Sequence, residues 1–229
     1  MSFPAVQART TGQNSTAGTS HTVSMPAGSG GRIIVFFAHS QNVSVSWPAG
    51  WFELFDVLNG TACGLAAAYT DAAAGPTITV TTSANTKSAH STYRVSGYEG
   101  TAPQAATATG ADATPDPPPV SPSWGGADTL WLAAEGNDDT LNVTDYPPSY
   151  LKGQTIVTSG GTATSNCRIA TAERYLNAAT ENPGAFQLAP DPEEWVAATV
   201  AIRPVETAPN VVGAFGINLQ VTPGQMVDY

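Results

Sequence analysis

The sequence predicts an all-β protein, an antiparallel β-sandwich built from two pseudo-repeated halves. Three observations lead there: short β-rich runs separated by turn formers, apolar and polar residues in alternation, and the same order of signals occurring twice. Runs at 21–25, 32–38, 43–47, 62–70, 77–81 and 90–95 are each closed by Gly, Pro, Asn or Ser, the spacing of a sandwich or barrel. Thr77-Ile78-Thr79-Val80 and Val43-Ser44-Val45-Ser46-Trp47 alternate with period 2, as a strand does with one face on a core and the other on water. Residues 99–126 hold Gly100-Thr101-Ala102-Pro103 and Asp116-Pro117-Pro118-Pro119-Val120-Ser121-Pro122, and are expected to connect rather than pack, because proline donates nothing to a ladder.

The repeat reads as follows. Arg32-Ile33-Ile34-Val35-Phe36-Phe37-Ala38 is answered by Asp128-Thr129-Leu130-Trp131-Leu132-Ala133-Ala134, both apolar enough to be central strands. Val43-Ser44-Val45-Ser46-Trp47-Pro48 is answered by Leu141-Asn142-Val143-Thr144-Asp145-Tyr146-Pro147, and Cys63 by Cys167, 104 residues on. The expected half-repeats are 31–98 and 127–204. Neither half has strands enough to bury both its faces, so they should close over one interior, a single sandwich over 1–204 with sheets about 10 Å apart. Residues 205–229 then form a C-terminal extension or arm, with an apolar stretch at 211–221.

Composition narrows the function. The 229 residues carry 8 Lys+Arg against 18 Asp+Glu, a net charge of −10, which disfavours nucleic acid because its phosphates are neutralised by clustered cations. No run approaches the ~20 apolar residues of a membrane span. Two cysteines are too few for a disulfide framework or a Cys-based metal site. A bond between Cys63 and Cys167 and the burial of two free thiols are both open, burial being the better supported.

Taken in order, Thr19-Ser20-His21-Thr22-Val23-Ser24-Met25-Pro26-Ala27, Gly31-Arg32-Ile33-Ile34-Val35-Phe36-Phe37-Ala38, Trp47-Pro48-Ala49-Gly50-Trp51 and Trp195-Val196-Ala197-Ala198-Thr199-Val200-Ala201-Ile202-Arg203-Pro204 carry a resemblance. The chain resembles jelly-roll β-sandwich modules of tailed-phage virion proteins and of phage-derived bacterial surface proteins. The resemblance implies a jelly-roll-like architecture and a virion setting, and it transfers no active site. The second half departs from the first where Asp145-Tyr146-Pro147-Pro148-Ser149-Tyr150 stands against Trp47-Pro48-Ala49-Gly50-Trp51, so unequal packing of the two corners is expected.

Catalysis finds little footing. The imidazoles are His21, His39 and His90, none in a recognised catalytic motif; the strand-borne pair, His21 and His90, read as structural or surface groups, and His39 as the best candidate for a ligand-facing loop. Acidic residues gather only at Asp138-Asp139, Asp191 and Glu193-Glu194, and neighbours on a strand point to opposite faces, so no glycosidase dyad is written there. The Gly136-Asn137-Asp138-Asp139-Thr140 loop offers oxygens to Ca²⁺ but lacks the spacing of an EF-hand, and a plain polar turn is the default. Sequons at Asn14, Asn42, Asn59 and Asn142 matter only in a secretory pathway.

The expectation is therefore a structural protein of a bacteriophage virion, not an enzyme, with no cofactor and no metal. As a capsid decoration subunit it would associate with itself and with neighbours such as the major capsid protein. Val211, Val212, Phe215, Ile217, Leu219 and Val221 are the expected oligomer or partner contacts. The alternative is a tail appendage or a glycan-binding module, with Trp47 and Trp51 stacking on a host surface sugar, against a corner packed on the core.

Overall fold

The computed structural model describes residues 2–138, 142–160, 165–189 and 192–206. These form thirteen strands: β1 (Ala5–Ser24), β2 (Arg32–His39), β3 (Val45–Ser46), β4 (Phe52–Asn59), β5 (Cys63–Thr70), β6 (Thr77–Ser96), β7 (Gln104–Gly110), β8 (Ala127–Asp138), β9 (Asn142–Asp145), β10 (Lys152–Thr158), β11 (Cys167–Ala178), β12 (Gln187–Ala189) and β13 (Trp195–Ile202). All pairings are antiparallel, and the protein is an all-β sandwich in two halves. The first sheet runs β1-β6-β2-β5-β4 and the second β7-β13-β8-β11-β10, the same order with each strand replaced by its counterpart. The correspondence extends to the small elements: β3 pairs with the first part of β6, and β9 with β12. The stretch matching β6 is thus split into β12 and β13, and the sequence between them has Pro190 and Pro192, which cannot donate to a ladder.

The central strands explain their own composition. Every residue of β2 and of β13 is buried, because one face meets the opposite sheet and the other lies under a flap of the chain's own half. Such strands must be apolar throughout rather than alternating. Between the sheets lie Ile34, Phe36, Leu65 and Tyr93 from the first half against Leu130, Leu132, Ile169 and Val200 from the second. On the outer face of the first sheet, Val23, Val45 and Val80 cover Ile33, Val35 and Phe37; on that of the second, Val120, Val143, Phe186 and Leu188 cover Trp131, Ala133 and Ala172.

Ala38 of the first half packs against Gly136 of the second, where a Cβ added to the glycine would sit 3.1 Å from the Ala38 Cβ. Around that point the contacts are exchanged: the Cys63 thiol faces the Gly136 carbonyl at 4.0 Å, and the Cys167 thiol faces the Ala38 carbonyl at 3.5 Å. Both thiols are free and buried, the reading preferred from sequence. Towards the β1/β10 flank the interior becomes polar. Thr171 hydrogen-bonds Tyr93 at 2.5 Å, Thr155 at 2.6 Å and Ser91 at 3.0 Å, linking β6 to β10 and β11. Beside them the Arg9 guanidinium forks onto the buried Glu173 carboxylate, Nη2 donating to Oε1 at 2.5 Å and Nε to Oε2 at 3.3 Å.

Three expectations are corrected. The stretch 99–126 packs: Gln104–Gly110 is the edge strand β7 on β13, Val120 is buried, and the Pro118 carbonyl accepts from Thr199. Alanine and threonine hid this strand, since neither marks a buried face. The runs at 77–81 and 90–95 belong to one strand of 20 residues, and its partner β1 begins at Ala5, well before the run at 21–25. The first half accordingly starts at Ala5 rather than at residue 31, and the second at Gln104 rather than at residue 127.

Gly136→Val should force the sheets apart at Ala38 and lower stability by about 1–3 kcal/mol, the usual cost of overpacking. Adding Ala38→Gly should return part of that loss. Urea midpoints of the two variants check both statements.

Candidate functional site

Each half turns from its small outer strand to its edge strand through a corner of one pattern: Trp47-Pro48-Ala49-Gly50-Trp51-Phe52 and Tyr146-Pro147-Pro148-Ser149-Tyr150-Leu151, 99 residues apart. In the first, Trp51 N donates to the Pro48 carbonyl at 3.2 Å; in the second, Tyr150 N donates to that of Pro147 at 3.1 Å. The third turn residue has positive φ in both, 85° at Gly50 and 71° at Ser149, which a type II turn demands. Serine is strained there, and among the described residues no other non-glycine has positive φ. The corners therefore match when Tyr146, not Asp145, is set against Trp47. The one-residue misalignment hid the shared turn, while the packing is unequal as expected, Tyr150 being fully buried and Trp51 half-buried.

Each corner turns its aromatics inward and one apolar residue outward. Trp47 and Trp51 are half-buried against the outer cluster and stacked on each other, with centroids 6.1 Å apart and planes at 19°. Tyr150 is fully buried, and Tyr146 packs edge-on to Phe186 at 5.7 Å. What reaches solvent is the first residue beyond the turn, Phe52 at 59% and Leu151 at 82% exposure.

Phe52 stands at the end of a rigid ladder. Its ring lies 5.4 Å from Tyr69, and the buried Arg32 guanidinium is held between Tyr69 at 4.7 Å and Tyr98 at 4.3 Å. Arg32 also donates to both Asp71 oxygens, at 2.8 and 2.9 Å, and to the Thr101 carbonyl at 2.7 Å. Leu151 borders a cleft of 240 Å³ lined by Ser149, Leu151, Lys152, Glu173, Arg174 and Tyr175. The Lys152 ammonium lies 4.9 Å over the Tyr175 ring, with no carboxylate partner among the described residues.

At the opposite end, where β4 and β8 finish, Ser40, Gln41, Asn42, Thr61, Asp138 and Glu194 border an open pocket of 650 Å³. Asp138, Glu193 and Glu194 can place one oxygen each within 4.8 Å of one another, so acids far apart in sequence converge here. With one oxygen each, three carboxylates supply at most half of the six to eight oxygens that Ca²⁺ takes. Asp139, Thr140 and Asp191 lie outside the described residues, as do Val211, Val212, Phe215, Ile217, Leu219 and Val221.

The imidazoles sit elsewhere. His39 is not in a loop: it is the last residue of β2, fully buried, with Nδ1 2.8 Å from the Gln41 carbonyl and its ring packed on Gly64, where a Cβ would lie 2.3 Å away. His90 packs on Gly12 and accepts from Ser24 N at 3.1 Å; His21 lies between Thr82 and Ser88 at 3.0 Å each. Burial pushes His39 and His90 down to about 4 and lowers His21. On the second half's outer face the buried Glu135 is pushed up to about 8 by burial, Asn137 Nδ2 donating to its Oε2 at 2.9 Å. Burial also raises the thiols, Cys167 to about 12, so neither is a nucleophile at neutral pH.

Sequence reasoning named the tryptophans of the first corner but not Phe52 as its exposed residue, and it missed Leu151. The signal was present as aromatic, Pro, two residues, aromatic, apolar, written once in each half. Protein-family models, curated proteins and solved structures provide no match to the chain.

The buried titrations set a pH optimum. His39 and His90 bind protons more readily unfolded than folded, so stability is full above about pH 6.5 and falls as pH drops towards 4, by about 1.4 kcal/mol per unit for each group. Glu135 binds its proton more tightly folded, so its contribution is full below about pH 4.5 and falls as pH rises towards 8. Stability should peak near about pH 6.5, where the slopes cancel. Glu135→Gln should flatten the alkaline limb, and His39→Asn with His90→Asn the acid limb, in urea titrations from pH 4.5 to 8.

Proposed function

We propose that this chain is a structural subunit of a bacteriophage virion, a capsid decoration protein that associates with itself and with the neighbouring shell protein. The observation that carries the reading is the pair of equivalent corners, each holding an apolar residue out at the start of an edge strand, Phe52 against the packed Tyr69 ring. An exposed side chain on an ordered platform loses little conformational entropy on association, which favours surface contact. The groups that could do chemistry are used within the fold: imidazoles under the flap, thiols in the interior, Arg9, Arg32 and Arg174 in ion pairs. A sandwich of two short sheets suits a subunit set on a surface better than a fibre shaft, which favours decoration over a tail appendage.

The described chain ends at Glu206, beside the first residues of β2 and β8. There Val205 N donates to the Gly97 carbonyl at 3.1 Å, and Arg203 pairs with Glu99 at 3.4 Å. The described chain therefore leaves the sandwich at the end that carries Phe52 and Leu151, and the apolar residues at 211–221 of the sequence lie outside the described residues.

Mass spectrometry of purified particles should find the chain at tens to hundreds of copies each; a few copies would indicate a tail part, and absence would remove the virion reading. Deleting residues 207–229 should leave the melting transition intact and abolish incorporation. Normal incorporation of that shortened chain would remove the arm from the account.

A further inference from the structure

We infer that the two corners are the two sides of one heterologous contact: Phe52 of one copy enters the cleft beside Leu151 of the next, and Glu53 meets Lys152. The inference rests on the self-association proposed above and names its surfaces.

The argument starts from the repeat. The residues following the matched turns are Phe52-Glu53 and Leu151-Lys152. Both positions of each pair are exposed, so the halves have kept an outward apolar residue and diverged to opposite charge at the next position, which points to the other side of the strand edge. A symmetric contact of either corner with itself would set Glu53 against Glu53, or Lys152 against Lys152, and would be repelled. Joining unlike corners neutralises both. The edge bearing Glu53 also carries Asp56 on the same strand, whereas Lys152 stands across from Glu173, whose carboxylate is taken by Arg9, and has its ammonium over the Tyr175 ring.

Shape agrees with charge. Phe52 is a projecting ring on a supported base, 59% exposed, while the Leu151 corner has a 240 Å³ cleft walled by Leu151 and Tyr175, with Lys152 at its rim. Glu173, on the cleft's polar side, is already neutralised by Arg9. An aromatic knob seated against Leu151 and Tyr175 in a cleft otherwise lined by polar groups, with an ion pair beside it, is the arrangement of an interface anchor. β4 and β10 are edge strands on opposite flanks, β4 lying by β7 and β10 by β1. A contact between opposite flanks does not close after two copies, so it propagates into a ring or a row.

The test uses the full chain in sedimentation velocity across micromolar to millimolar concentration. Wild type should form species larger than a dimer. Phe52→Asp alone and the double variant Leu151→Asp/Lys152→Glu alone should each be monomeric, yet their equimolar mixture should form dimers, since one intact knob and one intact cleft remain. Glu53→Lys/Lys152→Glu together should associate as wild type does, while each single swap should not. All substituted residues are exposed, and an unchanged thermal melt confirms folding. Association untouched by these variants, or a mixture without dimers, would overturn this interface and leave self-association standing. A wild-type chain that stays monomeric throughout would overturn both.

Discussion

The structure depends on two sheets coming close enough to share one dry interior. Nine fully or almost fully buried residues from each half form that interior, and Ala38 meets Gly136 within it, where a larger pair would hold the backbones apart. Dispersion falls off within an ångström of lost contact, so the spacing at this one place governs how well Phe36, Leu65, Leu132 and Ile169 pack around it. The exchanged contacts of Cys63 and Cys167 follow from the same approximate two-fold. Where the sheets diverge towards the β1/β10 flank, hydroxyls and the Arg9–Glu173 pair replace hydrocarbon, which keeps the seam hydrogen-bonded instead of hollow.

Inside, the halves have stayed alike; outside, they have separated. The flap over the first sheet covers neutral imidazoles, and the one over the second covers a carboxylic acid with a raised pKa. Both solutions bury a titratable group as its uncharged form, but opposite changes of pH unsettle them. The inner faces had no such freedom, because each inner residue has to fit a partner on the other sheet.

Much of this was legible in the sequence, for a physical reason. Continuous apolar runs such as Ile33-Ile34-Val35-Phe36-Phe37 announce strands buried on both faces, and their recurrence at Leu130-Trp131-Leu132 announces the repeat. The residues that stayed hidden lack such a signature. In β7 the sequence Gln-Ala-Ala-Thr-Ala-Thr-Gly carries no apolar period, because an edge strand of half-buried alanines needs none. His39 resembled a loop residue because a polar side chain after Phe36-Phe37-Ala38 suggests the strand has ended, yet the adjoining Gly64 leaves room for its ring. The convergence of Asp138 with Glu193 and Glu194 depends on β8 lying beside β13, a pairing that no local pattern encodes.

The register of β1 also governs how the protein can be made. Ala5 pairs with Ser96 and His21 with Val80, so the first strand of the chain has its partner almost a whole half-protein away. During synthesis the amino-terminal segment must therefore wait, backbone donors unmatched, until the far end of β6 has left the ribosome, while β2, β4 and β5 can already assemble from neighbouring sequence. Its Gln, Thr, Asn and Ser content suits that interval, since a polar strand can remain hydrated without recruiting another nascent chain.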